Sequence, residues 1–404
     1  MEERTAGIDL ASEEHRLVVV EADGRRRQER RFTHSEEGVA GLVRCLVELD
    51  IARVALERPN GLVVDRLLEA GIAVVPVHPN QLAAARDRYR SGGGKSDAFD
   101  AYVLAELART DMHRLRALEP DCDETQALRA LTRAREDLVE QRVCLGNQLR
   151  AQLEAFWPGA ARIFSEVGSP ICLAFLERYP SPQDARSLGE KRLGGFLARH
   201  GYCGRRSAAE LLTKLRSAPQ GRTGELEAEA RRQVVLALIA ALRPLVQQIR
   251  LLTSEIRGLL AEHPDGAIFR SLFRDPKSVV TAAELLAEIG DRRERHSASS
   301  SLEAIAGQSP VAVESGKKKV ARFRWACNKR LRDAVCVLAD SSRKHNPWAR
   351  KIYEDARARG HDHPHAIRIL GRAWVRVLWR MWQDGTPYDP SRHGSFQRLA
   401  AAGG

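Results

Sequence analysis

The sequence predicts a mixed α/β domain at the N-terminus, followed by a long and mainly helical remainder. Two observations support this fold class, and a third sets the last part of the chain apart. Short β-rich runs alternate with helical ones between residues 5 and 110. From residue 121 onward, one long stretch places apolar residues at seven-residue steps and a second places them at alternating three- and four-residue steps, and both are spacings of one helix face. Five of the six tryptophans lie beyond residue 300, together with the densest basic run.

The N-terminal elements follow one another in a regular order. We expect strands at 5–11, 16–22 and 28–33, a helix at 36–49, a strand at 52–57, a helix at 61–70, a strand at 72–77 and a helix at 96–109. Three strands followed by alternating helices and strands are typical of a ribonuclease-H-like sheet.

Two long helices are predicted after this domain. The first covers residues 121–156 and is stopped by Pro158-Gly159. The second carries an unbroken apolar stripe, formed by Val235, Leu238, Leu242, Leu245, Ile249, Leu252, Ile256 and Leu259. Such a stripe needs a partner, so the two helices either pack as an antiparallel pair within the chain or form a dimerisation arm. Pro244 is expected to kink the second helix. Residues 160–220 predict shorter helices and turns.

Four carboxylates in the N-terminal domain occupy positions that suit a divalent-metal site. Asp9 interrupts one apolar strand, and Glu57 ends another. A carboxylate flanked by apolar strand residues is costly to bury unless it is paired or bound to a metal. Asp97 and Asp100 follow the N-cap candidate Ser96, so they share one face of a helix's first turn. Carboxylate oxygens favour Mg²⁺ or Mn²⁺ over zinc, and two such ions about 4 Å apart promote in-line cleavage of a phosphodiester.

Each carboxylate also has a simpler explanation. Asp9 could cap a β-turn, and Glu57 could be a charge at a strand end. Asp97 and Asp100 could stabilise the positive end of a helix dipole. The four together, in this order, favour the metal site.

Composition narrows the class of partner. The net charge of +12 indicates an anionic partner, and nucleic acid fits best because no basic amphipathic membrane helix stands out. There is no run of eighteen apolar residues and no secretory signal pattern, so we expect no membrane partner and a cytoplasmic, nucleoid-associated bacterial protein. The seven cysteines are scattered without a Cys-x-x-Cys pair. Neither a disulfide framework nor a zinc site is expected.

The segment from Ser315 to Arg332 is strongly basic and contains no acidic residue. Its cations are Lys317, Lys318, Lys319, Arg322, Arg324, Lys329, Arg330 and Arg332. Phe323 and Trp325 lie among them, and this combination predicts a surface for backbone phosphates and stacked bases. A solvated helix face is the alternative, although such faces usually mix both signs.

A serine beside this basic segment could supply a nucleophile. Ser315-Gly316 opens the segment, where neighbouring cations could stabilise a pentavalent phosphoryl transition state. Serine in a loop is usually a turn former. The competing serines nearby are Ser297, Ser299, Ser300, Ser301 and Ser309. Residue chemistry alone does not choose among them.

Two further motifs have simpler interpretations. Gly94-Lys95-Ser96 looks like the end of a phosphate-binding P-loop, but Tyr89 stands where that motif needs glycine, and the preceding residues predict a helix rather than a strand. The segment His361-Asp362-His363-Pro364-His365 is interpreted as a helix-capping or phosphate-contacting turn, because no partner ligands for a metal are evident elsewhere.

Several short motifs follow one another in a defined order along nearly the whole chain. In the first half they are Gly7-Ile8-Asp9-Leu10-Ala11, Ala55-Leu56-Glu57 and Lys95-Ser96-Asp97-Ala98-Phe99-Asp100-Ala101. In the second half they are Leu285-Leu286-Ala287-Glu288-Ile289-Gly290-Asp291, Ala306-Gly307-Gln308-Ser309-Pro310-Val311 with Ser315-Gly316, Arg324-Trp325-Ala326-Cys327-Asn328-Lys329-Arg330-Leu331-Arg332, and Ala356-Arg357-Ala358-Arg359-Gly360-His361. As an ordered set, they resemble the insertion-sequence 110 family of DEDD-type transposases, also described as bridge-RNA-guided DNA recombinases.

The resemblance implies an enzyme with two catalytic domains. Its N-terminal RuvC-like domain would bind Mg²⁺ (or Mn²⁺) through a DEDD set matching Asp9, Glu57, Asp97 and Asp100, and its C-terminal transposase domain would supply a nucleophile matching Ser315. It further implies strand exchange between double-stranded DNAs, the element ends and the target, through a covalent serine–DNA intermediate. A structured guide RNA and composite sites in a homodimer or homotetramer are also implied.

The corresponding domains are residues 1–112 for the RuvC-like domain, 113–262 for the helical coiled-coil region and 263–395 for the transposase domain. The sequence departs from the family pattern in two places. Lys317 stands where many relatives have a second glycine, and Phe273-Arg274-Asp275-Pro276-Lys277 lacks the Pro-Gly-x-Gly hairpin of many members.

Three other functions are the alternatives. A metal-dependent, structure-specific DNA endonuclease of the RuvC type needs the carboxylates but forms no serine–DNA adduct. A sugar kinase or actin-like ATPase can also begin with Gly7-Ile8-Asp9, but it needs a glycine-rich phosphate motif in a second, similar domain, and the sequence offers none. A non-enzymatic nucleic-acid-binding protein would not need clustered carboxylates.

Overall fold

The computed structural model describes residues 4–89, 96–219, 224–275, 278–315 and 318–392, with the backbone alone at Ser315, Lys318 and Lys319. The chain forms two compact units, Met1–Pro120 and Asp121–Gly404. The second unit contains most of the predicted coiled-coil region and the predicted transposase domain. The predicted fold class, an α/β domain followed by a mainly helical region, is confirmed.

The N-terminal unit is built on one five-stranded sheet. Its strands are β1 (Thr5–Asp9), β2 (Glu14–Val20), β3 (Arg26–Thr33), β4 (Arg53–Leu56) and β5 (Ala73–Pro76). Its helices are α1 (Glu36–Glu48), α2 (Leu62–Glu69), α3 (Pro79–Tyr89) and α4 (Asp97–Thr110). The order across the sheet is β3-β2-β1-β4-β5; β1, β2 and β3 are antiparallel neighbours, while β4 and β5 run parallel to β1. Each predicted element of this region is present, with its ends within two residues of prediction.

The sheet is covered on both faces. Leu17 and Val19 of β2 pack in the core that includes α1 and α2, and Val18 and Val20 pack against α4 on the opposite face. All four side chains are fully buried. Because both faces of β2 are buried, the strand ends in a continuous apolar run instead of alternating polar and apolar residues.

The second unit is almost entirely helical. Its first half contains α5 (Asp123–Phe156), α6 (Pro158–Ile163), α7 (Pro170–Arg178), α8 (Glu190–Arg199), α9 (Ala208–Arg216) and α10 (Glu225–Glu262). Its second half contains α11 (Gly266–Arg270), α12 (Val279–Ile289), α13 (Ser299–Ile305), β6 (Val311–Ser315), β7 (Lys318–Arg322), α14 (Lys329–Ser342), α15 (Pro347–Ala358) and α16 (His363–Asp384). The short helices predicted between residues 160 and 220 are α6 to α9.

The two long helices, α5 and α10, pack as an antiparallel pair. Thr125 Oγ1 lies 2.8 Å from His263 Nε2, and Arg135 Nε donates to Thr253 Oγ1 at 2.8 Å. Residue numbers therefore increase along α5 in the direction in which they decrease along α10, so the two helices run in opposite directions. The apolar stripe of α10 therefore has an intrachain partner, helix α5. Residues 235, 242, 249 and 256 of the stripe are buried, one every seven residues, as in a coiled coil.

Helix α10 continues through Pro244 to Glu262, and the kink predicted there stays a prediction. Among the described residues, α10 is the one helix long and apolar enough to cross a membrane, with an 18-residue window of mean hydropathy 1.6. A single helix of this kind is weak evidence for membrane insertion.

Most of the late tryptophans belong to the core of the second unit. Trp348, Trp374 and Trp382 are buried, and Trp379 packs against the same core. Trp325, in the basic segment, is 78% exposed. At the start of α16, Asp362 Oδ1 accepts a hydrogen bond from the His365 backbone at 2.8 Å, so the capping turn predicted there is confirmed.

Candidate active site

The carboxyl ends of β1 and β4 bring Asp9 and Glu57 to neighbouring positions. The two strands are parallel neighbours in which Ile8 pairs with Leu56. Asp9 is the next residue of β1, and Glu57 directly follows β4. Adjacent strands lie about 4.8 Å apart, so the two half-buried carboxylates start from adjacent backbone positions at one edge of the sheet.

Helix α4 runs antiparallel to β1 and delivers its first turn to the same edge. Thr5 Oγ1 donates to the Ala105 carbonyl at 3.1 Å. Two residues further along β1, Gly7 lies so close to Ala101 and Ala105 that a Cβ at this position would overlap their backbone atoms. Residues later in β1 therefore contact residues earlier in α4. The first turn of α4 therefore approaches Asp9.

That first turn carries the other two predicted ligands. Ser96 caps α4, its side chain accepting from the Phe99 backbone at 3.3 Å, as the sequence predicts. Asp97 is exposed, and Asp100 is 2% exposed. The elements that carry all four predicted carboxylates thus meet at one end of the sheet.

Arg86 is a site residue that sequence reasoning missed. From α3, its Nε and Nη2 donate to the two carboxylate oxygens of Asp100 at 2.5 and 2.7 Å. This bidentate pair compensates a buried negative charge, which would otherwise be costly. No sequence signal selects Arg86, because the pair joins two different helices.

The donor set fits a hard divalent cation. Asp9, Glu57, Asp97 and Asp100 offer only carboxylate oxygens, the ligand type that Mg²⁺ and Mn²⁺ prefer. Arg86 already supplies a positive charge to Asp100. A cation bound by Asp100 would therefore replace guanidinium hydrogen bonds rather than enter an empty polar pocket.

We expect Arg86→Met to lower the free energy of unfolding of the N-terminal unit by about 3 kcal/mol without metal, because Asp100 stays buried and loses its partner. Mg²⁺ should restore more stability to this variant than to the wild type, since the freed carboxylate can bind the cation. Hydrogen exchange of α4 peptides with and without Mg²⁺ measures both effects. The matched control is Arg88→Met on the same helix, where the guanidinium lies over the Tyr89 ring at 5.5 Å. If Mg²⁺ stabilised Arg86→Met and Arg88→Met equally, Asp100 would not be a ligand of the cation.

The predicted nucleic-acid surface surrounds a two-stranded hairpin in the second unit. Strands β6 and β7 pair antiparallel, and Ser315 opposite Lys318 is the last pair at one end. Lys317 lies outside the described residues, as do the side chains of Ser315, Lys318 and Lys319. The role of Ser315 as nucleophile stays a prediction.

The remaining predicted phosphate contacts differ in their surroundings. Arg322 and Lys329 are exposed. Arg324 is half-buried, and its Nε donates to the Ser309 carbonyl at 3.1 Å. Arg330 donates to Glu136 at 2.5 Å and to Asp137 at 2.7 Å, both on α5. A phosphate would have to compete with two carboxylates for Arg330.

Glu288, in the Leu-Leu-Ala-Glu motif on α12, positions the start of α14. It accepts two hydrogen bonds from Arg133, at 2.7 and 2.8 Å, and one from Asn328 Nδ2 at 2.7 Å. Asn328 also caps α14, its Oδ1 accepting from the Leu331 backbone at 3.1 Å. Burial opposes ionisation of Glu288, but the hydrogen bonds from Arg133 and Asn328 outweigh it, so the pKa of this carboxyl lies below its usual value.

Cys122, His263 and Asp291 form the one metal-like cluster found among the described residues, with candidate ligand atoms within 4.8 Å of one another. His263 Nδ1 accepts from the Asp265 backbone N–H at 3.0 Å, so the proton of the neutral ring lies on Nε2. Nε2 then donates to Thr125 Oγ1 at 2.8 Å, and the Thr125 hydroxyl donates to Asp291 at 2.9 Å. Because Nε2 is a donor here, the cluster suits a hydrogen-bonded link between α5 and α10 better than a zinc site. All seven cysteines are free.

Two family models match the chain. A DEDD-type IS110 transposase model covers residues 6–158, and the model of the IS116/IS110/IS902 transposase family covers residues 278–354. The first match contains Asp9, Glu57, Asp97 and Asp100. The second contains the α12 motif and the basic hairpin.

Several similar proteins belong to insertion elements. The IS110 protein of Streptomyces coelicolor is 31% identical, over 77% of this chain and 76% of its own length. The IS116 protein of Streptomyces clavuligerus is 30% identical, over 95% of this chain and 96% of its own. The IS900 protein of Mycobacterium paratuberculosis is 27% identical, over 96% and 97%. Among solved structures, T. thermophilus RuvC in complex with a Holliday junction substrate matches 29% of this chain and 99% of its own at 18% identity, with a TM-score of 0.24.

The matched models and the carboxylate site define the class of protein as a transposase, an enzyme that moves DNA with the help of divalent metal. The chain belongs to the IS116/IS110/IS902 family of transposases.

Proposed function

We propose that this transposase excises and inserts its own insertion element by Mg²⁺-dependent strand exchange, with Ser315 as nucleophile and a structured RNA as guide. The two DNAs exchanged are the double-stranded element ends and the target. The observation that supports the proposal most is the meeting of Asp9, Glu57 and the first turn of α4 at one end of the sheet. Mn²⁺ is the alternative cation, since it takes the same oxygen ligands.

Each catalytic group has a specific task in this proposal. Asp9, Glu57, Asp97 and Asp100 hold the divalent cation, which when bound polarises the scissile phosphate and stabilises developing negative charge. Ser315 Oγ forms an ester bond to phosphorus and loses its proton. The bond from phosphorus to the departing DNA oxygen breaks, and that oxygen takes up a proton. A hydroxyl of the second DNA later displaces Ser315, which regains its proton.

Ser315→Ala tests the nucleophile directly. We expect recombination to be abolished, because no other atom of the side chain can form the ester bond, while DNA affinity changes less than twofold. The wild type should leave a covalent protein–DNA adduct in denaturing gels, and the variant should leave none. Ser309→Ala, a nearby serine replacement, is the matched control and should behave like the wild type. Cleavage by Ser315→Ala at the wild-type rate would favour a metal-dependent endonuclease of the RuvC type.

The proposal extends to partners and location. The proposed assembly is a homodimer or homotetramer, which could cover exposed apolar residues on the long helices such as Val143, Val234 and Leu251. The net charge of +12 supports binding of RNA as well as DNA. Binding of DNA and RNA is consistent with a cytoplasmic, nucleoid-associated protein that has no membrane partner. Light scattering of the purified chain measures the number of subunits.

A further inference from the structure

A pocket of about 450 Å³ opens between the hairpin and α16 in the second unit. Arg322, Phe323 and Arg324 contribute from the end of β7, and His365, Arg368 and Arg372 contribute from α16. Its volume falls within the roughly 300–1,000 Å³ typical of sites for small organic groups. A double helix is too wide for such a concavity, whereas one nucleotide is of suitable size.

The positive charge of this pocket favours an anionic ligand. None of the described residues that line it is acidic. Glu303, nearby on α13, accepts from Arg372 at 2.6 Å and offsets part of the positive charge. Arg322 is exposed, and Arg368 is half-buried with its guanidinium 5.1 Å from the centre of the Phe323 ring. Burial, together with the positive charges of His361 and Arg368, lowers the pKa of His365, as expected where cations outnumber anions.

The aromatic side chains beside the pocket select a base. Trp325 packs edge-on against Phe323, with ring centres 4.8 Å apart and planes at 77°. This contact fixes the indole, although 78% of the residue stays exposed. A large exposed aromatic group held by a neighbouring ring is costly to leave in water and is suited to stacking. Bases inside a duplex have both faces covered, so away from the duplex ends it is an unpaired base that can stack on Trp325.

We propose that this pocket and the adjoining Trp325 together bind one unpaired nucleotide of a DNA strand, with the phosphate held in the pocket by Arg322 and Arg368 and the base stacked beside it on Trp325, which packs on the lining residue Phe323. DNA is the substrate of this class of enzyme, and the proposal does not depend on the role of Ser315. Arg322 and Lys318 are four residues apart on β7, a distance of about 13 Å. That distance spans about four nucleotides of a stacked DNA strand, so the pocket lies within about four nucleotides of the end of the strand pair where Ser315 is opposite Lys318.

The test compares three ligands of equal length with the full-length chain: single-stranded (dT)12, the same backbone with abasic sugars, and a 12-base-pair duplex. Of the six tryptophans, Trp325 is the strongly exposed one, so stacking of (dT)12 should quench part of the intrinsic emission. The abasic strand should quench little. Trp325→Ala should weaken (dT)12 binding five- to a hundredfold, while its effect on the abasic strand and the duplex stays below twofold.

The phosphate contact has its own variant and control. Arg368→Gln should weaken both single strands and reduce the slope of log affinity against log salt by about 0.7. Arg380→Gln, three turns further along α16 and paired with Asp384 at 2.8 Å, should leave both unchanged. Equal effects of Trp325→Ala on single strand and duplex, or no quenching by (dT)12, would overturn the pocket assignment. Tighter, Trp325-dependent binding of (rU)12 than of (dT)12 would overturn the choice of DNA.

Discussion

Asp9→Asn is expected to reduce the rate of metal-dependent DNA cleavage at least about a thousandfold. The replacement keeps the size of the side chain but removes the negative charge at the position where β1, β4 and α4 meet. A bound cation contributes several kcal/mol of transition-state stabilisation, and each 1.36 kcal/mol corresponds to about a tenfold change in rate. Single-turnover cleavage of element-end DNA across a range of Mg²⁺ concentrations measures the loss.

Binding of the cation gives a second readout that does not depend on cleavage. Mn²⁺ titration followed by paramagnetic resonance should show weaker binding by Asp9→Asn than by the wild type. The matched control is Asp65→Asn, which removes the same charge from an exposed position on α2. Asp65→Asn should retain wild-type cleavage and Mn²⁺ affinity. Wild-type Mn²⁺ affinity in Asp9→Asn would remove Asp9 from the site.

The positions of the four carboxylates in the fold could be predicted, because each position leaves a local signal in the sequence. Asp9 interrupts an apolar strand, Glu57 ends one, and Ser96 marks the helix start that aligns Asp97 and Asp100. Strand ends and helix caps are decided by neighbouring residues, so short segments carry this information. The positions of the elements in the first unit follow from the same kind of signal.

Contacts between distant segments leave no such signal. The basic run that contains Arg330 predicts a contact with nucleic acid, but it gives no sign that the guanidinium also lies against Glu136, 194 residues earlier. The apolar stripe on α10 likewise could not select its partner, because burial of apolar surface has no direction. Polar contacts such as Arg135 with Thr253 fix the antiparallel arrangement.

Gly7→Ala is expected to destabilise the N-terminal unit by about 3 kcal/mol, the upper part of the range for overpacked cores. An added Cβ would overlap the backbone of both Ala101 and Ala105, and backbone atoms cannot move aside as a side chain can. Helix α4 would have to leave β1, which also displaces Asp97 and Asp100. Gly41→Ala, in the middle of α1, is the matched control, because its Cβ would meet Phe32 at an ordinary 3.7 Å. It should stabilise the unit by about 0.5–1 kcal/mol.

The distribution of tryptophan makes the measurement specific to one unit. All six tryptophans lie beyond residue 120, so tryptophan emission, excited at a wavelength that tyrosine does not absorb, reports on the second unit alone. Hydrogen exchange of peptides covering β1 and α4 reports on the first. We expect Gly7→Ala to accelerate exchange in those peptides while the fluorescence transition in urea stays unchanged. Unchanged exchange would mean that α4 does not pack on Gly7, and the approach of the helical carboxylates to Asp9 would then lack its structural basis.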